Sequence, residues 1–215
     1  MSRRYDCADA ADRETGLREA ASAIRRGELV VLPTDTLYGI GADAFSPEAV
    51  SHLLDAKGRG RNMPSPVLVG SPTTLHGLVT DFSEQAWELV DAFWPGGLTL
   101  VAKHQPSLRW DLGDTRGTVA VRMPLHPVAL ELLNEVGPMA VSSANKTGGP
   151  NPSTCDDAFN QLGDSVAVYL DGGNADFGKP SSIVDVTGKV PVLLRAGAIS
   201  AEQLREVVPD LEAGS

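Results

Sequence analysis

Short, mostly apolar runs alternate along this chain with segments of helical period, and no other feature constrains its fold as much. Leu29–Leu32, Val67–Val69, Leu98–Ala102, Pro138–Val141, Val166–Leu170 and Val192–Leu194 are three to five residues each. Such runs are too short for helices and read as strands, with Leu29–Leu32 buried on both faces and Val67–Val69 another short buried strand. Between them, Leu17, Ala20, Ala21 and Ile24 fall on one helical face, and Gly27 after Arg25 and Arg26 stops that helix. Ser46-Pro47 opens a helix that buries Val50, Leu53 and Leu54. Ser71-Pro72 starts a short one to about Val79, and Ser83 caps another with Trp87, Val90 and Trp94 on a stripe. His126-Pro127 leads a helix to Val136, and Thr154–Leu162 is helical. Ser200 to Gln203 is a capping box for a last helix on Leu204, Val207 and Val208. Thr118–Arg122 and Ser181–Asp185 add strands, so strands cluster in the second half. The pattern predicts an α/β (α+β) domain with a mixed parallel and antiparallel sheet flanked by helices. Residues 1–14 are polar and are expected to fray, leaving 15–215 as one domain.

Two strands end in the same way. Leu29–Leu32 runs into Pro33-Thr34-Asp35-Thr36-Leu37-Tyr38-Gly39-Ile40-Gly41, and Pro138–Val141 into Ser142-Ser143-Ala144-Asn145. Small hydrogen-bonding groups at the carboxyl end of a buried strand stand where open α/β sheets bind ligands. Taken alone, the first stretch reads rather as a turn whose Thr34 and Asp35 bond their own backbone. Arg122 ends a third strand and Arg195 a fourth.

The chain carries a formal charge of -10, which makes the stretch Asp55–Val69, DAKGRGRNMPSPVLV, conspicuous. Lys57, Arg59 and Arg61 alternate with Gly58 and Gly60, a spacing that lets several cations reach one polyphosphate. A solvated basic loop is the plain alternative. The overall acidity argues against binding long nucleic acid by bulk electrostatics, though not against a local basic cleft. The glycines near Lys57 follow a helix rather than a strand, so neither a Rossmann nor a P-loop phosphate mode applies. His52, His76, His104 and His126 are scattered, and Cys7 and Cys155 have no metal spacing, so no protein-ligated metal is expected. Two free thiols, no signal-like N-terminus and no apolar run long enough to span a bilayer lead to the expectation of a cytoplasmic protein with no membrane contact.

LPTDTLYGIGADA, DAKGRGRNMPSPVLV, FWPGGLTLVA, VAVRMP, VSSANKTGG, PSSIVDVT and LLRAGAI occur in this order, spanning about Ile24 to Ile199. Together they resemble the YrdC-type threonylcarbamoyl-AMP synthase family, in its single-domain form. The resemblance implies a twisted mixed sheet around a basic concave cleft. It implies synthesis of L-threonylcarbamoyl-AMP and pyrophosphate from L-threonine, bicarbonate or CO2, and ATP. It further implies that a downstream complex transfers the threonylcarbamoyl group to tRNA, and a weak direct contact with tRNA is an expectation of the same kind. Lys57 and Arg59 become the catalytic residues. ATP is expected at Lys57, Arg59, Arg61, Thr118, Ser143, Asn145 and Arg195, with Mg2+ as helper. Threonine is expected at Thr34, Thr36, Tyr38, Arg122, Ser142 and Ser182. Two positions depart from the family pattern. Gly60 replaces the common proline, and Val67-Leu68-Val69 stand where many members have a histidine near the threonine.

The chemistry implied is attack of a threonine carbamate on the α-phosphorus, which needs alignment and charge neutralisation more than a general base. A loop freed by Gly58 and Gly60 could close over the labile intermediates. The rivals are an RNA-binding module of the same fold, and a carbamoyl-adenylate enzyme with another acceptor.

Overall fold

Helix ends follow local hydrogen-bonding chemistry. Asp9 accepts from Ala11 and Asp12 N–H to open α1 (Ala10–Arg25), and Ser46 accepts from Ala49 N–H to open α2 (Pro47–Lys57). A 3-10 turn leads into α3 (Leu75–Leu78), Ser83 caps α4 (Glu84–Phe93), and proline begins α5 (Pro127–Val136). Thr154 and Ser200 form reciprocal capping boxes on α6 (Cys155–Leu162) and α7 (Ala201–Val207). The structure, a computed structural model, describes residues 2–176 and 178–214.

The strands are β1 (Arg3–Asp6), β2 (Val30–Leu32), β3 (Gly39–Asp43), β4 (Val67–Leu68), β5 (Val79–Thr80), β6 (Leu98–His104), β7 (Thr118–Arg122), β8 (Met139–Ser143), β9 (Val168–Asp171), β10 (Ser182–Asp185), β11 (Val192–Arg195) and β12 (Glu212–Ala213). They form one mixed sheet in the order β1-β9-β2-β3-β8-β4-β7-β6-β10-β11-β12, with β5 on β6. Parallel pairs such as β4–β7 and β6–β10 sit beside antiparallel ones such as β3–β8 and β6–β7. The mixed sheet flanked by helices is therefore as expected.

β2 shows why its run is apolar throughout. Val30 and Leu32 pack with α1 and α5, around Leu17, Ala21, Leu132 and Leu133. Val31 faces the other way, into α2 and α6 with Ile40, Leu53 and Leu162. A third cluster joins α4 and α7 to β6 and β7 through Leu89, Leu100, Val121 and Leu204. Each fully buried Val, Leu or Ile side chain contributes roughly 1.5–3 kcal/mol by leaving water.

Two stretches differ from the sequence reading. β3 lies within a segment read as polar loop. A Cβ on Gly39 would come within 2.6 Å of Val141 Cγ1, and one on Gly41 within 2.6 Å of Met139 Cε. Glycine there lets the side chains of β8 lie over the strand, and it also removes the strand's hydrophobic signature. Residues 1–14, expected to fray, contain β1 and the first turn of α1. Arg3–Asp6 pairs in parallel with Val168–Asp171. Charged residues suit this edge of the sheet, where Arg4 donates to Asp171 and Asp156.

Candidate functional site

The handovers from apolar strand to polar turn meet around a cavity of about 480 Å³ between the β2–β3 turn, the end of β8, and β4, β6, β7, β10 and β11. Among the expected residues, Thr34, Thr36, Tyr38, Arg59, Arg122, Ser142, Ser143 and Arg195 line it. No Asp, Glu or His is among the described lining residues.

In the lining, Arg122 is fixed on three sides. Its Nη2 pairs with Asp35 Oδ1, its Nη1 donates to Thr36 Oγ1 (2.7 Å) and its Nε to Gly96 O (2.8 Å). Thr34 donates to Leu37 O (2.6 Å), which leaves its oxygen to accept from Thr36 (3.1 Å). The result is a directed chain from Arg122 through Thr36 and Thr34 to backbone. Three of the five guanidinium N–H groups are used, leaving two for a ligand. Burial lowers the Arg122 pKa, Asp35 opposes that shift, and Arg195 adds to it.

Elsewhere in the lining Arg59 donates to Ser142 Oγ (2.8 Å), Met63 O (2.6 Å) and Pro64 O (3.4 Å). Arg195 is held by Ser181, through Ser181 O at 2.7 and 3.1 Å and Ser181 Oγ at 3.2 Å. Neither arginine pairs with a carboxylate among the described residues. Both have pKa values lowered by burial, and Arg59 further by the charge of Arg195. Two partly buried cations that oppose each other in a cavity without carboxylates favour an anion between them.

Lys57, expected to be exposed in a cleft, is buried at 3% exposure and does not line the cavity. It ends α2, where Gly58 adopts φ 60° as the left-handed cap. Its ammonium donates to Ser143 O (2.5 Å), Asn145 O (2.6 Å) and Asn145 Oδ1 (3.2 Å). Burial lowers its pKa to about 8, helped by the charges of Arg59 and Lys146. Asn145, behind the same wall, accepts from Ser143 Oγ (2.6 Å) and donates to Gly149 O (2.9 Å).

Three expected ligands lie elsewhere. Arg61 is exposed, pairs with Asp111 at 2.7 Å and is not among the lining residues of the cavity. Thr118 begins β7, whereas Arg122 ends it, so the two stand roughly 13 Å apart along the strand. Thr118 bonds Thr115 O instead. Ser182 is fully buried, donates to Ile199 O (2.5 Å) and accepts from Gly197 N and Ile199 N (3.0 Å each), so it ties down the turn after β11. Its neighbour Ser181 lines the cavity. Tyr38 is among the lining residues, but its fully buried side chain packs in the core with Val31 and Leu53, and its hydroxyl donates to Gly173 O (2.5 Å) and accepts from Gly172 N (3.0 Å).

Sequence reasoning missed Ser181, Thr99 and Leu194 in the lining. Thr99 Oγ1 lies 2.8 Å from Ser181 Oγ, and a lone polar residue inside an apolar run was its signal. A larger groove of about 940 Å³ lies over Arg3, Arg26, His52, Asp55 and Lys146. Its Arg3 and Arg26 are paired with Glu19 and Glu28, so it lacks the convergent free charge of the smaller cavity. No described helix is long and apolar enough to cross a membrane. Cys7 and Cys155 are free and buried.

Residues 22–197 match the profile of the Sua5/YciO/YrdC family, described as "Telomere recombination". A Mycobacterium tuberculosis protein is 58% identical over 97% of this chain and 96% of its own length. The Bacillus subtilis threonylcarbamoyl-AMP synthase is 38% identical over 89% of this chain and 56% of its own. Among solved structures, Pyrococcus abyssi Sua5 complexed with L-threonine superposes with a TM-score of 0.92 at 33% identity. All of this chain and 62% of that one are covered, so the chain spans less than two thirds of that relative and of the Bacillus protein.

Proposed function

The chain belongs to the Sua5/YciO/YrdC family, and on that premise we propose that it is a threonylcarbamoyl-AMP synthase. It joins L-threonine, bicarbonate or CO2, and ATP into threonylcarbamoyl-AMP and releases pyrophosphate. The observation that carries the reading is the arginine-lined cavity. Arg59 and Arg195, neither paired with a carboxylate among the described residues, share it with the Arg122–Thr36–Thr34 chain.

The triphosphate lies against Arg59 and Arg195, with Ser142 and Ser143 beside it and the charge of Lys57 behind the wall. At ~4 Å and an effective dielectric of ~20, one cation–phosphate contact is worth about 4 kcal/mol before desolvation is subtracted. Threonine places its carboxylate on the two unused N–H groups of Arg122 and its hydroxyl near Thr34 and Thr36. Its amine, carboxylated to the carbamate, then faces the α-phosphorus. A carbamate oxygen bonds to that phosphorus as the bond to pyrophosphate breaks. With no carboxylate or imidazole among the described lining residues, alignment and charge do this work. Those residues offer hydroxyls and guanidiniums but no metal-ligating carboxylate. Mg2+ therefore fits here only as an ion carried on the nucleotide's own phosphates, where it neutralises charge.

The product is a reactive mixed anhydride, suited to a downstream complex that transfers its threonylcarbamoyl group to tRNA, and this places the protein in the cytoplasm. Pyrophosphate release decides the reading. It should require threonine and bicarbonate together, with threonylcarbamoyl-AMP found by mass spectrometry. Intact ATP, or equal release with serine, carbamoyl phosphate or no amino acid, would overturn it.

A further inference from the structure

The end of α2 and the turn after β8 hold each other from both sides. Lys57 sends its ammonium into the turn, onto Ser143 O, Asn145 O and Asn145 Oδ1. The turn sends two donors back. Lys146 Nζ bonds Ala56 O at 2.6 Å, and Thr147 N–H bonds Lys57 O at 2.9 Å. Ala56 and Lys57 own the last two carbonyls of the helix, which have no partner within it. A cation at this end also meets the negative end of the helix dipole.

The turn itself is braced. Lys146 N–H donates to Gln161 Oε1 of α6 (3.2 Å), Gly149 N–H to Lys146 O (2.8 Å), and Asn145 Nδ2 to Gly149 O (2.9 Å). Lys146 is exposed and stands in the groove of His52, Asp55 and Ala56, on the far side of this turn from the cavity. It therefore touches no ligand in the cavity, yet it secures the segment whose Ser143 lines it.

We propose that Lys146 is a positioning residue for the nucleotide end of the site, clamping the Ser143–Asn145 turn onto the end of α2 so that Lys57 and Ser143 keep their places. The placing of that end rests on the synthase reading; the clamp itself does not. A second consequence follows from charge. Lys57 is flanked by the cations Arg59 and Lys146, which add to burial in lowering its pKa. Loss of the Lys146 charge, and any loosening of the turn that lets water reach Lys57, both raise it.

The test is a titration of Lys57 in substrate-free protein, followed by the 13Cε resonance that Lys57→Arg removes. Wild type should titrate near pH 8. Lys146→Gln should move the midpoint upward, and Lys146→Arg, which keeps charge and donors, should restore it. Kinetics supply the second readout. Lys146→Gln should lower kcat/KM for ATP roughly tenfold, about 1.4 kcal/mol, with KM for threonine unchanged and with recovery in Lys146→Arg. If Lys146→Gln unfolds, Lys146→Met keeps the apolar stem and takes its place. An unmoved midpoint overturns the clamp whether or not the protein makes threonylcarbamoyl-AMP. A moved midpoint with unchanged ATP kinetics overturns the positioning role. Wild-type protein that leaves ATP intact counts against the synthase reading instead.

Discussion

Replacing Asp35 by alanine should be among the most damaging single changes in this chain. Asp35 is 1% exposed and Arg122 6%, and they form a buried ion pair through Asp35 Oδ1. The same oxygen accepts Leu125 N–H at 3.0 Å. Removing one partner of such a pair leaves a buried charge uncompensated, at roughly 3–5 kcal/mol. The orphaned Leu125 N–H adds about 1 kcal/mol. A total of roughly 4–6 kcal/mol corresponds to a fall in Tm of roughly 8–24 °C for a domain of this size. Asp35 Oδ2 has no hydrogen-bond partner among the described residues, so the pair is not an optimised stabiliser. The double variant Asp35→Ala/Arg122→Met should therefore be more stable than Asp35→Ala alone, because it removes the stranded guanidinium. Urea unfolding of the wild type, both singles and the double measures all of this. A cost below about 1 kcal/mol for Asp35→Ala, or strictly additive effects, would refute the reasoning.

Other perturbations have equally definite outcomes. Lys57 must be charged to favour phosphates, and its pKa is lowered to about 8, so ATP turnover should fall on a basic limb near pH 8, read from a pH–rate profile; a limb only above pH 10 contradicts this. The same group affects stability. Above pH 8 the unfolded chain binds the Lys57 proton more tightly than the folded one, so its contribution to stability rises with pH until about 10.5. Lys57→Met should remove that rise from urea unfolding series. Arg61→Ala should change kcat/KM for ATP less than about threefold, because Arg61 is exposed and paired with Asp111; a loss as large as that of Arg59→Ala would place Arg61 in the site.

How far the fold could be read depended on whether a segment's burial appears in its side chains. β2 has one environment on each face and reads as Val-Val-Leu, and α1 shows its buried face in Leu17, Ala20, Ala21 and Ile24. β3 was invisible because glycine, where Val141 and Met139 press closest, carries no hydrophobic mark. β1 was invisible because an edge strand of Arg-Arg-Tyr-Asp resembles a polar tail. Within the site, strand ends handing over to Thr, Ser and Arg were legible, since such groups at the end of a buried run need partners. The face that each residue presents was not. Ser181 and Ser182 differ by one position, and a strand turns successive residues to opposite sides. Lys57 gave no sign of burial, because lysine is almost never buried and its three carbonyl partners come from a segment 86 to 88 residues away.

The account stands most directly on where the nucleotide lies. A crystal structure with threonine and a non-hydrolysable ATP analogue should place phosphate oxygens about 3 Å from Arg59 and the threonine carboxylate on Arg122. Phosphates seated instead in the groove of Arg3, Arg26 and Lys146, or an amino acid nowhere near Thr34 and Thr36, would contradict it.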